Sequence, residues 1–128
     1  GMNKNATLTT IDNDPQLIEI AKTYFGKDDR VNIICEDGSA WLKNYDGKAF
    51  DLVFADAWPG KYSEIDIVLD LIKVGGFYAI DDMKTQSNWP DRHEEKVEQL
   101  IAYLESREDF HLTKMNWSTG VIVATKKL

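Results

Sequence analysis

Five aspartates stand just where short apolar runs end. The run ATLTTI (residues 6–11) ends in Asp12. VNIIC (residues 31–35) is followed by Glu36 and Asp37. LVFA (residues 52–55) ends in Asp56, and FYAI (residues 77–80) ends in the pair Asp81/Asp82. Carboxylates placed this way can accept from ribose hydroxyls, accept from an exocyclic amine, or together hold a hard cation such as Mg²⁺ or Ca²⁺ through oxygen. Each also has a bland reading, since Asp favours turns and helix caps. For Asp14, directly before Pro15, the cap is the stronger reading.

The elements that must position these acids follow from the flanking sequence. Residues 6–11 and 31–35 are rich in β-branched residues and predict strands. Leu17, Ile18, Ala21 and Phe25 recur at helical spacing after Asp14-Pro15, with Gly26 as the stop. Ser39 is placed to cap a short helix carrying Trp41 and Leu42. The segment FDLVFADAWPGKY (residues 50–62) organises the chain. Its apolar run lacks polar alternation and predicts a strand buried on both faces, as in a parallel sheet. Ser63 then caps a helix with Ile65, Val68, Leu69 and Ile72 on one face, closed by Gly75-Gly76, and residues 77–80 form a fourth strand. Val97, Leu100, Ile101 and Leu104 give a further helical stripe. Residues 110–115 and 121–125, joined by a Gly-containing turn, predict an antiparallel hairpin.

Strand–helix alternation followed by two strands predicts an α/β fold: a Rossmann-like, doubly wound, mostly parallel sheet with a C-terminal antiparallel hairpin. In such a sheet the parallel strands end on one rim, where ligands bind. The length of 128 residues suits a single domain, residues 1–128, with Gly1 before Met2 reading as a tag-cleavage scar. A net charge of −7 leaves no basic surplus for a nucleic-acid backbone. No apolar run approaches the ~20 residues of a membrane span. The single cysteine, Cys35, excludes a disulfide framework. The expectation is a cytoplasmic protein acting on a small molecule, with no nucleic-acid or membrane partner.

These motifs, taken in order, resemble the later two-thirds of a class I S-adenosylmethionine (SAM)-dependent methyltransferase, of the catechol O-methyltransferase-like, cation-dependent group. TTIDNDPQLIEIAKTYF resembles the family's second strand and helix, which implies that Asp12 binds the SAM ribose. NIICEDGSAWL resembles the adenine-contacting segment, which implies Asp37 with Gly38 and Ser39. FDLVFADAWPGKY resembles the fourth strand, whose acid, here Asp56, is a metal ligand. Trp58 matches an aromatic beside the cofactor. LIKVGGFYAIDDM resembles the fifth strand and implies Asp81 and Asp82 as further ligands, and the common order and spacing of these motifs make the resemblance specific. The implied activity is methyl transfer from SAM to a small hydroxylated, aromatic substrate, assisted by Mg²⁺. Trp58, Trp89 and His93 are candidates for the substrate mouth.

Two departures modify the expectation. The family opens with a central strand and a Gly-rich SAM loop that nothing before Ala6 supplies, so the resemblance implies a truncated domain with weak or absent SAM binding. To avoid stranding buried N–H and C=O groups, the first strand is expected to pair directly with the third, giving the order 2-1-3-4-6-5, or a second copy of the chain fills the space as a homodimer. The catechol-type general base is a lysine where this chain has Pro59; Lys61 is the candidate substitute, with an ordinary surface lysine as its bland reading. Two other classes compete: a non-catalytic methyltransferase-fold remnant serving as an interaction module, and a two-component receiver phosphorylated at Asp56. Against the receiver, residues 77–80 end in two acids rather than Thr/Ser, no Lys-Pro strand end follows, and the chain closes on a hairpin rather than a helix.

Overall fold

Local capping and turn chemistry set most of the elements in the computed structural model, which describes residues 2–128. Strand β1 (Leu8–Asp12) leads into helix α1 (Pro15–Phe25). Asp14 caps α1 by accepting from the Gln16 backbone N–H at 2.8 Å, and Pro15 takes the first turn, where its missing N–H costs nothing. Strand β2 (Val31–Cys35) runs parallel to β1, in register from Leu8↔Val31 to Asp12↔Cys35. Helix α2 (Gly38–Asn44) follows. Its cap is Asp37, whose Oδ1 accepts from the Ala40 N–H at 2.9 Å, and not Ser39, which lies within the first turn. These elements make one compact unit, which ends at Asn44.

The second unit, Tyr45–Leu128, contains strand β3 (Phe50–Phe54), helix α3 (Ile65–Asp70), strand β4 (Ile72–Ile80), helix α4 (His93–Ser106) and strands β5 (Phe110–Met115) and β6 (Val121–Lys126). Its sheet has the order β3-β4-β6-β5, with β3 and β4 parallel and the remaining pairs antiparallel. The hairpin therefore forms as expected from its turn signal.

The fourth strand is longer than its sequence suggested. Helix α3 stops at Asp70, and Lys126 donates to the Leu69 carbonyl at 3.0 Å near that end. Ile72, expected on the helix, opens β4. Gly75-Gly76, expected to end the helix, instead lie inside β4 at a register shift between Phe50↔Ile72 and Leu52↔Phe77. A Cβ at Gly76 would sit 2.9 Å from the Asp51 carbonyl oxygen, so glycine permits that close approach. Ser63 does not cap α3; Glu64 occupies the cap position with no side-chain cap bond.

The expected order 2-1-3-4-6-5 does not form as one sheet. Among the described residues β1 pairs with β2 alone, and β3 with β4 alone. The expected β1–β3 pairing presumes a buried environment, and Leu8, Leu52 and Phe54 on these strands are exposed. Nor is β3 buried on both faces. Leu52 and Phe54 are 59% and 57% exposed, because β3 is an edge strand and helices cover one face of its sheet.

The covered face holds the core. Tyr78, Ile80, Ile122 and Ala124 point to it, with Val68 and Leu69 of α3 and Val97, Leu100 and Leu104 of α4 buried alongside. Each fully buried large aliphatic side chain is worth about 1.5–3 kcal/mol. That packing fixes the strand ends from which the acids project. No helix among the described residues is long and apolar enough to cross a membrane.

Candidate active site

The parallel pairing of β3 and β4 puts their carboxyl ends side by side. Phe54 is in register with Ala79, and the Ala55 N–H donates to the Ala79 carbonyl at 3.0 Å. Asp56 leaves β3 one residue later, and Asp81 and Asp82 follow Ile80. One carboxylate oxygen from each of the three lies within 4.8 Å of the others. This is the convergence expected for Asp56, Asp81 and Asp82. Asp82 has φ +53°, a left-handed conformation uncommon outside glycine but better tolerated by Asp than by most residues.

These charges are poorly offset by the protein. Asp81 Oδ1 is buried without a hydrogen-bond partner, while Gln86 donates to Asp82 Oδ1 at 3.4 Å. Burial raises the Asp81 pKa; Asp56 and Asp82 push it the same way, and Lys61 opposes them. Three crowded carboxylates with an orphaned buried oxygen form an all-oxygen donor set. That set fits a hard divalent cation.

A tight loop delivers Lys61 to these acids. The Trp58 carbonyl accepts from the N–H groups of Lys61, Tyr62 and Ser63, and Gly60 takes φ +86°, which glycine adopts without strain. The buried Tyr78 hydroxyl donates to the Gly60 carbonyl at 2.7 Å and ties the loop to β4. Lys61 is consequently only 4% exposed, not a surface lysine. Its Nζ donates to the Asp81 backbone carbonyl at 2.7 Å and lies 3.8 Å from Asp81 Oδ1, within ion-pair range but too far for a hydrogen bond. Burial lowers the Lys61 pKa, against the opposing charges of Asp81, Asp82 and Asp56.

An aromatic cluster borders the loop. Ring centroids are 5.2 Å apart for Trp58–Tyr62, 5.5 Å for Tyr62–His93 and 4.6 Å for Trp89–His93. Tyr62 Oη and His93 Nε2 are 3.4 Å apart. Burial raises the Tyr62 pKa, reinforced by Asp82 and Asp81. Trp58, Trp89 and His93 were singled out in the sequence; Tyr62 and the anchor Tyr78 were not. The signal for Tyr78 is its place in an apolar strand three residues before the paired acids, where a buried hydroxyl needs a partner.

The remaining sequence candidates lie in the first unit. Asp12 and Asp37 leave the same end of the parallel β1–β2 pair. Asp12 Oδ1 accepts from the Asp14 N–H at 2.8 Å, and Asp37 Oδ1 from Ala40. One oxygen of each carboxylate thus performs the turn or cap role of its bland reading, and the second oxygen has the chemistry to accept from a sugar hydroxyl or an amine. Gly38 and Ser39 open α2 beside Asp37.

The fold and the strand-end acids define a Rossmann-like α/β protein of the methyltransferase class. A family model described as O-methyltransferase matches residues 1–119, and the chain belongs to that family. This sets aside the receiver reading of Asp56. Among solved structures, a Corynebacterium glutamicum protein is 23% identical with a TM-score of 0.85, the alignment covering 100% of this chain and 64% of that one. The O-methyltransferase TomG from Streptomyces achromogenes, involved in tomaymycin synthesis and solved in complex with SAM, is 22% identical with a TM-score of 0.81, covering 99% of this chain and 65% of that one. A Podospora anserina methyltransferase bound to S-adenosylhomocysteine (SAH) is 21% identical with a TM-score of 0.77, covering 96% and 62%. These likenesses establish the fold, and this chain spans a little under two-thirds of each of those proteins' length. No curated protein matches the sequence.

Proposed function

We propose that this chain carries out SAM-dependent O-methyl transfer to a small hydroxylated aromatic acceptor, with a divalent cation held by Asp56, Asp81 and Asp82. The observation that carries the proposal is the cluster of three carboxylates within 4.8 Å, one oxygen of which is buried and unpartnered. Asp12 would hold the ribose of SAM. Asp37, Gly38 and Ser39 would border its adenine.

A divalent cation bound there would lower the pKa of an acceptor hydroxyl and fix its orientation. SAM would supply the methyl group. The protein's own part is to remove the hydroxyl proton and hold the acceptor. Neutral Lys61 Nζ is the proposed proton acceptor: burial favours its neutral form, and the Tyr78–Gly60 tie holds its loop in place. Trp58 and Tyr62 would pack against the acceptor ring and exclude water from it.

The test is an assay of the full chain with labelled SAM up to millimolar concentration, Mg²⁺ and a panel of phenols and catechols. Cation-dependent methylation that is lost in Asp81→Asn is the expected result. A folded chain that methylates none of them under any of these conditions would overturn the proposal.

One observation favours a second reading, an interaction module that pairs with its own copy. Leu52, Phe54 and Phe77 form an open apolar patch on adjacent strands of one sheet face. Light scattering across a concentration series tests it: a dimer disrupted by Leu52→Lys supports it, and a monomer at all concentrations opposes it.

A further inference from the structure

A cavity of about 230 Å³ opens between the Trp58–Tyr62 loop and α4. An apolar cavity of ~150 Å³ is enough for benzene, so this one has room for a single ring with a short substituent. Trp58, Tyr62 and Tyr103 supply aromatic wall, and Lys61, Lys96 and Gln99 supply polar lining. The charge of this lining is unusual for the molecule. The whole chain carries −7, yet the cavity is lined by two lysines and no acid.

The two lysines differ. Lys61 is already committed, donating to the Asp81 carbonyl. Lys96 stands over the Trp58 ring, its Nζ 5.1 Å from the centroid, and no acid pairs with it among the described residues. The nearby cation Arg92, at the N-cap of the same helix, is by contrast paired with Glu95. Lys96 is exposed, and an unpaired ammonium over an aromatic face at the rim of a groove can pair with an anion. Lys61 lines this cavity and also touches the acid cluster, so the two regions adjoin through one side chain.

We infer that the cavity takes the anionic end of the acceptor, so that the substrate is a one-ring aromatic acid whose carboxylate pairs with Lys96. This rests on the methyltransferase reading for the word substrate, but the cavity's preference for an aryl carboxylate stands independently of it. The ring lies against Trp58 and Tyr62. A neutral phenol would fill the same space without engaging Lys96, and an arylalkyl amine, protonated at neutral pH, would be repelled by Lys96.

The experiment is fluorine NMR of 4-fluorobenzoate and of 4-fluorobenzyl alcohol, each titrated into the full chain at low salt without SAM or added metal. The carboxylate is expected to bind about fivefold more tightly than the alcohol, the size of a partly exposed charge pair. Lys96→Gln should erase that ratio while leaving alcohol binding in place, and Lys96→Glu should reverse it. Equal binding of both probes, no binding of either at millimolar concentration, or a ratio unchanged in Lys96→Gln would each overturn the inference. SAH titrated into the same samples separates the two readings: a carboxylate preference in a chain that ignores SAH keeps the cavity's assignment and counts against methyl transfer, whereas SAH binding with no carboxylate preference does the opposite.

Discussion

Lys61 donates from Nζ to the backbone carbonyl of Asp81 at 2.7 Å, while the carboxylate oxygen Oδ1 of the same residue lies 3.8 Å away, buried and without a hydrogen bond. The lysine is thus fixed to the strand end rather than to the carboxylate. That leaves the carboxylate oxygen available to a cation and the amine positioned beside it.

If Lys61 is the proton acceptor, Lys61→Met should lower the methyl-transfer rate by ~10²–10⁴-fold, the usual contribution of a general base. Lys61→Arg should not rescue it, because a guanidinium does not give up its proton at neutral pH. Rate measurements beside a Mn²⁺ titration check this. Loss of rate with cation binding retained is the expected pattern.

Asp81 should make stability depend on pH in a definite direction. Its folded pKa is raised by burial and by Asp56 and Asp82. The folded state therefore holds its proton more tightly than the unfolded state, and ionised Asp81 opposes folding. Its unfavourable contribution is full above the folded pKa. It fades as pH falls through that value, and is gone below the unfolded carboxylate range. Without metal, Asp81→Asn should be more stable than the parent near pH 7, and the gap should close as pH drops. Urea unfolding of both proteins across that range measures it; a gap that widens toward acid would be the wrong sign.

Tyr78→Phe should cost about 1–3 kcal/mol, because the buried Gly60 carbonyl loses its donor. Chemical denaturation gives the value. The same substitution frees the Trp58–Ser63 loop, so the reactivity of Lys61 toward an amine-acylating reagent should rise above that of the parent, as mass spectrometry of the modified peptide would report.

Much of this site was legible in the sequence, for physical reasons that differ by residue. Asp56, Asp81 and Asp82 could be placed together because parallel strands in adjacent register share an end, and both strands announced themselves as short apolar runs. Asp14 and Pro15 marked the start of α1 through local chemistry alone. The burial of Lys61 was not legible, since its loop is tied down by a hydrogen bond from Tyr78 to Gly60, eighteen positions apart in sequence. Gly75-Gly76 misled because glycine pairs serve equally as helix stops and as strand bulges; only the register shift opposite Asp51 distinguishes them. The missing β1–β3 pairing and the exposed face of β3 were not legible because an apolar run does not reveal whether a neighbour covers it.

Asp12→Ala should weaken SAH binding by ~10–100-fold, the worth of hydrogen bonds to a charged acceptor. It should leave Mn²⁺ binding unchanged, since the cation ligands belong to the other unit. Parallel calorimetric titrations check both arms.

The most direct test of the central claim is a calorimetric titration of the full chain with Mn²⁺, repeated for Asp56→Asn and Asp81→Asn after each variant is confirmed to fold. A single saturable site in the parent that disappears in both variants is the expected result. A folded parent with no saturable site, or one whose affinity is the same in both variants, would contradict it.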